Sequence, residues 1–165
     1  MLLVLKVLTI IAVAVAMALS LAHALEWPGK KRLDKDQYLA VQPIYYPGFT
    51  IGGIAEPLGL LLLAVLAYLS PRGSAEFWLM AGSFAALLIA HGTYWLLTHP
   101  INNFWLKDFK LHGPGAGFFS FASGRLDQAR ELDWTRLRDW WEFSHALRAG
   151  FALIGFTLLA AAVAL

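Results

Sequence analysis

The chain has 165 residues, 59% of them hydrophobic and only 15% charged, which departs from the apolar half and charged quarter of a soluble domain toward a single membrane domain spanning residues 1–165. Its net charge is +2, and its basic residues are confined to two segments rather than covering a face, so nucleic acid is not an expected partner. The absence of cysteine excludes disulfides, thiolate metal ligands and dithiol redox chemistry, including a quinone reductase working through a CxxC pair.

Four apolar stretches, at about 3–25, 49–69, 76–97 and 142–164, approach the roughly 20 residues a helix needs to cross about 30 Å of hydrocarbon. In the first, Lys6 and Ser20 interrupt the run before His23. Its end, "LAHALEW", resembles the A-x-A cleavage site of a secretory signal peptide. The apolar run is longer than the usual 7 to about 15 residues of such a core, and its basic flank holds only Lys6, so a retained helix is expected. The loop that follows contains "RLDKDQYLAVQP", where Leu33, Tyr38 and Val41 recur at roughly helical spacing; a short helix lying on the membrane surface is expected. "YYPGF" then turns the chain into the second span, with tyrosines suited to the headgroup region.

Inside the second span, Pro57 frees the carbonyl of Gly53 and predicts a kink beside Glu56. "SPRGSAE" joins the second and third spans as a short antiparallel hairpin. The third span carries no charge between Glu76 and His91. His91 shares a face with Tyr94, Trp95 and Thr98, and it is the histidine least explained by solvent. His99 and His112 fall in loop sequence, where solvent accounts for them. The long third loop includes "HGPGAGFFSFASG", whose breakers and phenylalanines predict a flap dipping into the interface. Asp133 is a helix N-cap, and the helix it starts runs into the last span for about 33 residues, or about 50 Å.

With four spans, the loops at about 26–48 and 98–141 share one side. They hold Lys30, Lys31, Arg32 and Lys35, and Lys107, Lys110, Arg125, Arg130, Arg136 and Arg138, against Lys6 and Arg72 on the other side. The positive-inside rule puts both long loops in the cytoplasm and both termini outside an inner membrane. The expected fold is all-α: an up-down, integral membrane four-helix bundle with short interfacial helices in its cytoplasmic loops. Alternating access relies on repeated halves, and none is visible between the two pairs of spans.

Polar residues gather at the loop-bearing helix ends: His23 and Glu26, Glu56, His91 and His99, then Glu142, His145 and Arg148. Charges at membrane depth are costly and face an interior, so one polar pocket is expected there. The other half, rich in Ala, Leu, Val and Gly, reads as packing. Three uses of the pocket stay open. One is a structural network in which Glu56 or Glu142 pairs with Arg148 and holds the helices in register. A second is a metal site, for iron or another divalent ion, because Glu142-x-x-His145 has the spacing of di-iron bundles and His23-x-x-Glu26 repeats it in reverse, with Glu56 and His91 as further ligands; Arg148 one turn away opposes a cation. The third is a cofactor-free acid/base site. His23 and Glu26 also read simply as polar residues ending a helix, and Trp27, Trp95, Trp105, Trp134, Trp140 and Trp141 as an anchoring belt. The alternative for Trp95 and Trp141 is an aromatic wall, which with Glu56, His91 and His23 would line a substrate pocket.

"HALEWPGKKRLDKDQYLAVQPIYYPGF", "THPINNFWL" and "WEFSHALRAG" resemble the anthrone oxygenase-like family of small four-span membrane proteins. The family's Asn-containing segment after the third span corresponds to Pro100, Asn102 and Asn103, and its W-x-x-x-H-x-x-R element to Trp141, His145 and Arg148. The resemblance implies oxidation of an apolar phenolic or anthrone-like molecule by molecular oxygen without an added cofactor. On that reading His145 is the base, Arg148 and Asn102 stabilise the anion, and Glu142 orients the histidine. The expected partners are the lipid bilayer and an apolar aromatic small molecule. Nothing in the sequence sets the oligomeric state.

Overall fold

The computed structural model describes residues 1–106 and 133–165, and every regular element among them is helical. Helix α1 (Leu2–Lys30) runs past the expected end of the first span. It continues because its late polar groups turn inward: His23 and Lys30 are both buried. Pro28 lies inside its last turns, where it removes a single hydrogen bond.

Helix α2 (Lys35–Val41) starts from a capping box, with Asp34 Oδ1 accepting from the Gln37 amide at 2.9 Å and Gln37 Oε1 from the Asp34 amide at 3.3 Å. The expected short helix is present, but it does not simply lie on the surface. Tyr38 is fully buried in a satellite core with Ile101, Trp105, Leu137 and Trp141, so α2 is docked onto the bundle. A 3₁₀ turn (Gln42–Tyr45) leads to α3 (Gly48–Gly52) and α4 (Ala55–Leu69).

The kink expected at Pro57 is a break one turn earlier. The Gly53 amide bonds the Phe49 carbonyl at 2.8 Å, ending α3. The Gly53 carbonyl, far from being freed, accepts from the Glu56 amide at 3.2 Å. Pro57 falls in the first turn of α4, where its missing N–H has no partner to lose.

After α4, Gly73 takes φ 84°, a left-handed turn that glycine enters without steric cost. Ser74 Oγ then accepts from the Phe77 amide at 3.1 Å and caps α5 (Ala75–Thr93). A π turn (Tyr94–Thr98) joins α5 to α6 (His99–Leu106). Asp133 caps α7 (Trp134–Ala164), accepting from the Thr135 amide at 3.0 Å, as expected. The 31 residues of α7 span about 46 Å. The "HGPGAGFFSFASG" flap, His112 and the basic residues at 107–132 lie outside the described residues.

Among the described residues, four helices are long and apolar enough to cross a membrane: Leu2–Lys30, Gly48–Leu69, Ala75–Asn102 and Trp134–Ala164. They close a ring in chain order, α1 packing on α4, α4 on α5, α5 on α7 and α7 back on α1. The protein is therefore an all-α multi-pass membrane bundle. Its main core joins Val13, Leu63, Met80, Leu87 and Leu159, all fully buried, while Leu61, Leu88 and Ile154 face outward into the apolar belt.

Small residues set the closest helix approaches in that half. A Cβ at Gly155 would stand 3.2 Å from the Ser83 carbonyl oxygen, and Ser83 Oγ donates to the Gly155 carbonyl at 2.8 Å. A Cβ at Gly59 would meet Leu87 and Val13 side-chain atoms at 3.2 and 3.3 Å. Beyond this core, Lys6 pairs with Glu76 at 2.8 Å.

Candidate functional site

Below the main core, on the loop-bearing side, the helices part around a cavity of about 400 Å³, a volume within the range of small-molecule sites. Every long helix contributes to its wall. The two departures from regular helix, the α3–α4 break and the π turn, both border it. π turns add a residue to the helical register and recur at functional sites; here the turn separates Trp95, which lines the cavity, from Thr98, buried against α7 with its hydroxyl 2.8 Å from Ser144 Oγ.

The polar centre of the chamber is Glu56. Its Oε1 lies 2.9 Å from His91 Nδ1 and its Oε2 accepts from Arg148 Nη2 at 2.7 Å. His91 Nε2 in turn accepts from Trp95 Nε1 at 3.0 Å. Since the indole can only donate, Nε2 carries the lone pair, and the His91 proton sits on Nδ1 pointing at Glu56. The charge of Glu56 is therefore balanced by Arg148, with a neutral His91 as hydrogen-bond donor. Arg148 also stacks over the Tyr94 ring at 4.9 Å, and its Nε is buried with no hydrogen-bond partner. The network expected between a glutamate and Arg148 is thus made by Glu56, and it ties α4, α5 and α7 together.

The opposite wall is a stack of two imidazoles. The His23 and His145 rings lie 4.0 Å apart at 29°, from α1 and α7. Trp141 packs against His145 at 4.3 Å, and Tyr45 and Phe49 against His23 at 4.3 and 4.6 Å. His23 is therefore not an interfacial residue that ends a helix; it is buried at 6% exposure in mid-helix. His145 is 3% exposed, and neither of its ring nitrogens has a hydrogen-bond partner. Leaving a buried polar atom unsatisfied costs about 1–3 kcal/mol, so both His145 nitrogens keep unused hydrogen-bonding capacity within the chamber wall. Asn102 lines the same space, its Oδ1 accepting from Trp141 Nε1 at 2.6 Å.

Glu142 does not join this group. It is fully buried but directed away from the cavity: Oε1 accepts from the Tyr38 hydroxyl at 2.9 Å and lies 3.6 Å from Lys30 Nζ. It therefore cannot orient His145, although three-residue spacing puts both on one side of α7. Lys30 also pairs with Glu26 at 3.1 Å and sits over the Tyr45 and Trp141 rings at 4.7 and 5.0 Å. The Tyr45 hydroxyl donates to Glu26. Burial, reinforced by the neighbouring carboxylates Glu142 and Glu26, pushes the Tyr38 and Tyr45 phenols above their ordinary range. This second cluster fastens α2 and the 3₁₀ turn over the chamber as a roof.

The same orientations separate the proposed metal ligands. Among the described residues, no three His, Asp or Glu side chains are grouped to hold a metal ion, because Glu142 turns to Tyr38, Glu26 to Tyr45 and Lys30, and Glu56 to Arg148. Of the expected site residues, His145, Arg148, Asn102, Glu56, His91, Trp95, Trp141 and His23 all line the cavity, and Glu142 does not. His99, expected in solvent, is 2% exposed and its Nδ1 lies 3.0 Å from the Tyr94 hydroxyl. Sequence reasoning missed Lys30, Tyr38 and Tyr45. The Glu26 and Lys30 pair at i, i+4 was the available signal, had α1 been continued through Pro28.

A family profile described as Anthrone oxygenase matches residues 46–158. No curated protein and no solved structure matches the chain.

Proposed function

The chain belongs to the anthrone oxygenase family, and from that premise we propose that it oxygenates an apolar, phenolic, anthrone-like substrate by acid/base chemistry without a cofactor. The observation that carries this reading is His145, buried in the chamber wall with both ring nitrogens uncommitted. A base must reach its proton within hydrogen-bond distance, and an imidazole already engaged elsewhere could not.

His145 takes a proton from the activated methylene of the substrate. The resulting carbanion is delocalised into the substrate's own oxygen, which Arg148 Nε–H and the Asn102 amide receive. Because Glu56 already balances the charge of Arg148, the guanidinium acts as a donor of directed hydrogen bonds rather than as a net cation. The carbanion adds to molecular oxygen and reduces it to a peroxide at that carbon, and the proton held by His145 returns to the outer oxygen to give the hydroperoxide. Loss of water then leaves a carbonyl, so one oxygen atom enters the product and the other becomes water. His23 supports the His145 ring by stacking, and Trp95 and Trp141 offer apolar faces to a ring system.

A second reading, a non-catalytic bundle, draws on the Glu56 network, which ties three helices whether or not anything binds. Purified protein in lipid nanodiscs, given a dihydroxyanthrone under air, separates the two. Oxygen uptake matched by quinone formation is expected, falling about 10²–10⁴-fold in His145→Ala while the helical content stays that of the wild type. Equal rates in both proteins would leave only the structural reading.

A further inference from the structure

The chamber's lining residues differ sharply in exposure, and the difference has a direction. On the roof, Gln42, Trp105 and Trp141 are buried, at 4%, 3% and 3%, and Gln42 Nε2 donates to the Tyr38 carbonyl at 3.3 Å. Toward the main core, Ala16 and Ser20 are also buried. Among the described residues, the exposed lining positions are Ile51, Gly53, Ile54, Pro57 and Trp95. The first four belong to the α3–α4 break and Trp95 to the π turn, so the two helix irregularities face each other across one opening.

This opening lies within two membrane-spanning segments, and its rim is wholly apolar. Ile51, Ile54 and Trp95 are 50%, 65% and 41% exposed on the outward side, while Glu56 and Arg148 stand behind them. A charged or strongly hydrated solute would have to shed its water at such a rim without compensation. A molecule already dissolved in hydrocarbon pays no such cost. Behind the rim, Tyr45, Phe49, Tyr94, Trp105 and Trp141 offer ring faces, which suit a flat aromatic body better than a flexible chain that loses rotational freedom on binding.

We propose that the substrate of the reading above reaches the chamber sideways from the bilayer, through the mouth between the α3–α4 break and the π turn, rather than from the cytoplasm. This deepens the reading above, since it takes the same chamber as the binding site, but it needs no turnover. The ligand's polar edge meets Arg148 Nε and Asn102, and its apolar body remains between the aromatic walls.

The cysteine-free sequence gives a direct test. Ile54→Cys, and Leu61→Cys on the outward face of α4 as a control, are alkylated with a bulky maleimide in nanodiscs. The association and dissociation of a dihydroxyanthraquinone are followed by tryptophan quenching. An adduct at Ile54 is expected to slow both rates about tenfold or more while leaving Kd nearly unchanged, as a blocked doorway must; an adduct at Leu61 leaves both rates as in the unmodified protein. Unchanged rates with the Ile54 adduct would overturn the lateral route. No quenching by the aromatic, or stronger binding of decanoic acid, would overturn the substrate class of the reading above. Loss of oxygen uptake with binding intact would count against the oxygenase reading alone.

Discussion

Glu56 satisfies both of its carboxylate oxygens inside the bundle, and that makes it the residue whose loss the fold should feel most. Removing one partner of a buried ion pair leaves the other uncompensated, at a cost of about 3–5 kcal/mol. Glu56→Ala is expected to lose about that much in an unfolding titration from mixed micelles, and Glu56→Gln combined with Arg148→Met to recover part of it. Tyr38 supports a pH prediction. Its phenol is held above the ordinary range, so the neutral form is favoured in the folded state. The stability linked to it is complete below the unfolded pKa of about 10 and is lost as pH rises beyond it. Wild type should therefore lose stability above about pH 10 more steeply than Tyr38→Phe, although that variant starts lower by one hydrogen bond to Glu142. A melting-temperature series across alkaline pH measures both slopes.

At the scale of helices, the α5–α7 seam is set by Gly155 against a backbone carbonyl, and the α1–α4–α5 contact by Gly59 against side-chain ends. Backbone cannot turn aside as a leucine can. Gly155→Val is accordingly expected to cost about 1–3 kcal/mol or more, and Gly59→Ala less, measured in the same unfolding titration. The four spans were legible in the sequence because apolar length is a local property, and Asp133 was legible as a cap for the same reason. The α3–α4 break was not: Pro57 marked the neighbourhood correctly, but the Gly53 carbonyl found a new donor in the Glu56 amide, one turn from the kink that proline alone would give. Nor was the docking of α2, since helical spacing reports which residues share a face and not whether that face meets lipid or protein. Tyr38 met protein.

For the molecule as a whole, the sequence could place ionisable residues at one end of the bundle but could not aim them. Glu142 and His145 have the same spacing as a cooperating pair, yet one turns to Lys30 and the other joins the cavity wall. What separates them is the buried Lys30, which the charge distribution counts among the basic residues of a cytoplasmic loop. From the distribution of basic residues we propose that both long loops face the cytoplasm. Lys35→Cys is expected to react with an impermeant maleimide only from the cytoplasmic side of sealed vesicles, and Arg72→Cys only from the opposite side. The central claim concerns proton removal by His145 inside the chamber. Its most direct measurement is anaerobic exchange of the dihydroxyanthrone methylene hydrogens with heavy water, which isolates that step from oxygen chemistry. Exchange accelerated by the wild type and reduced to the protein-free rate by His145→Ala is the expected result. Exchange equally fast in both proteins, or never faster than in their absence, would contradict it.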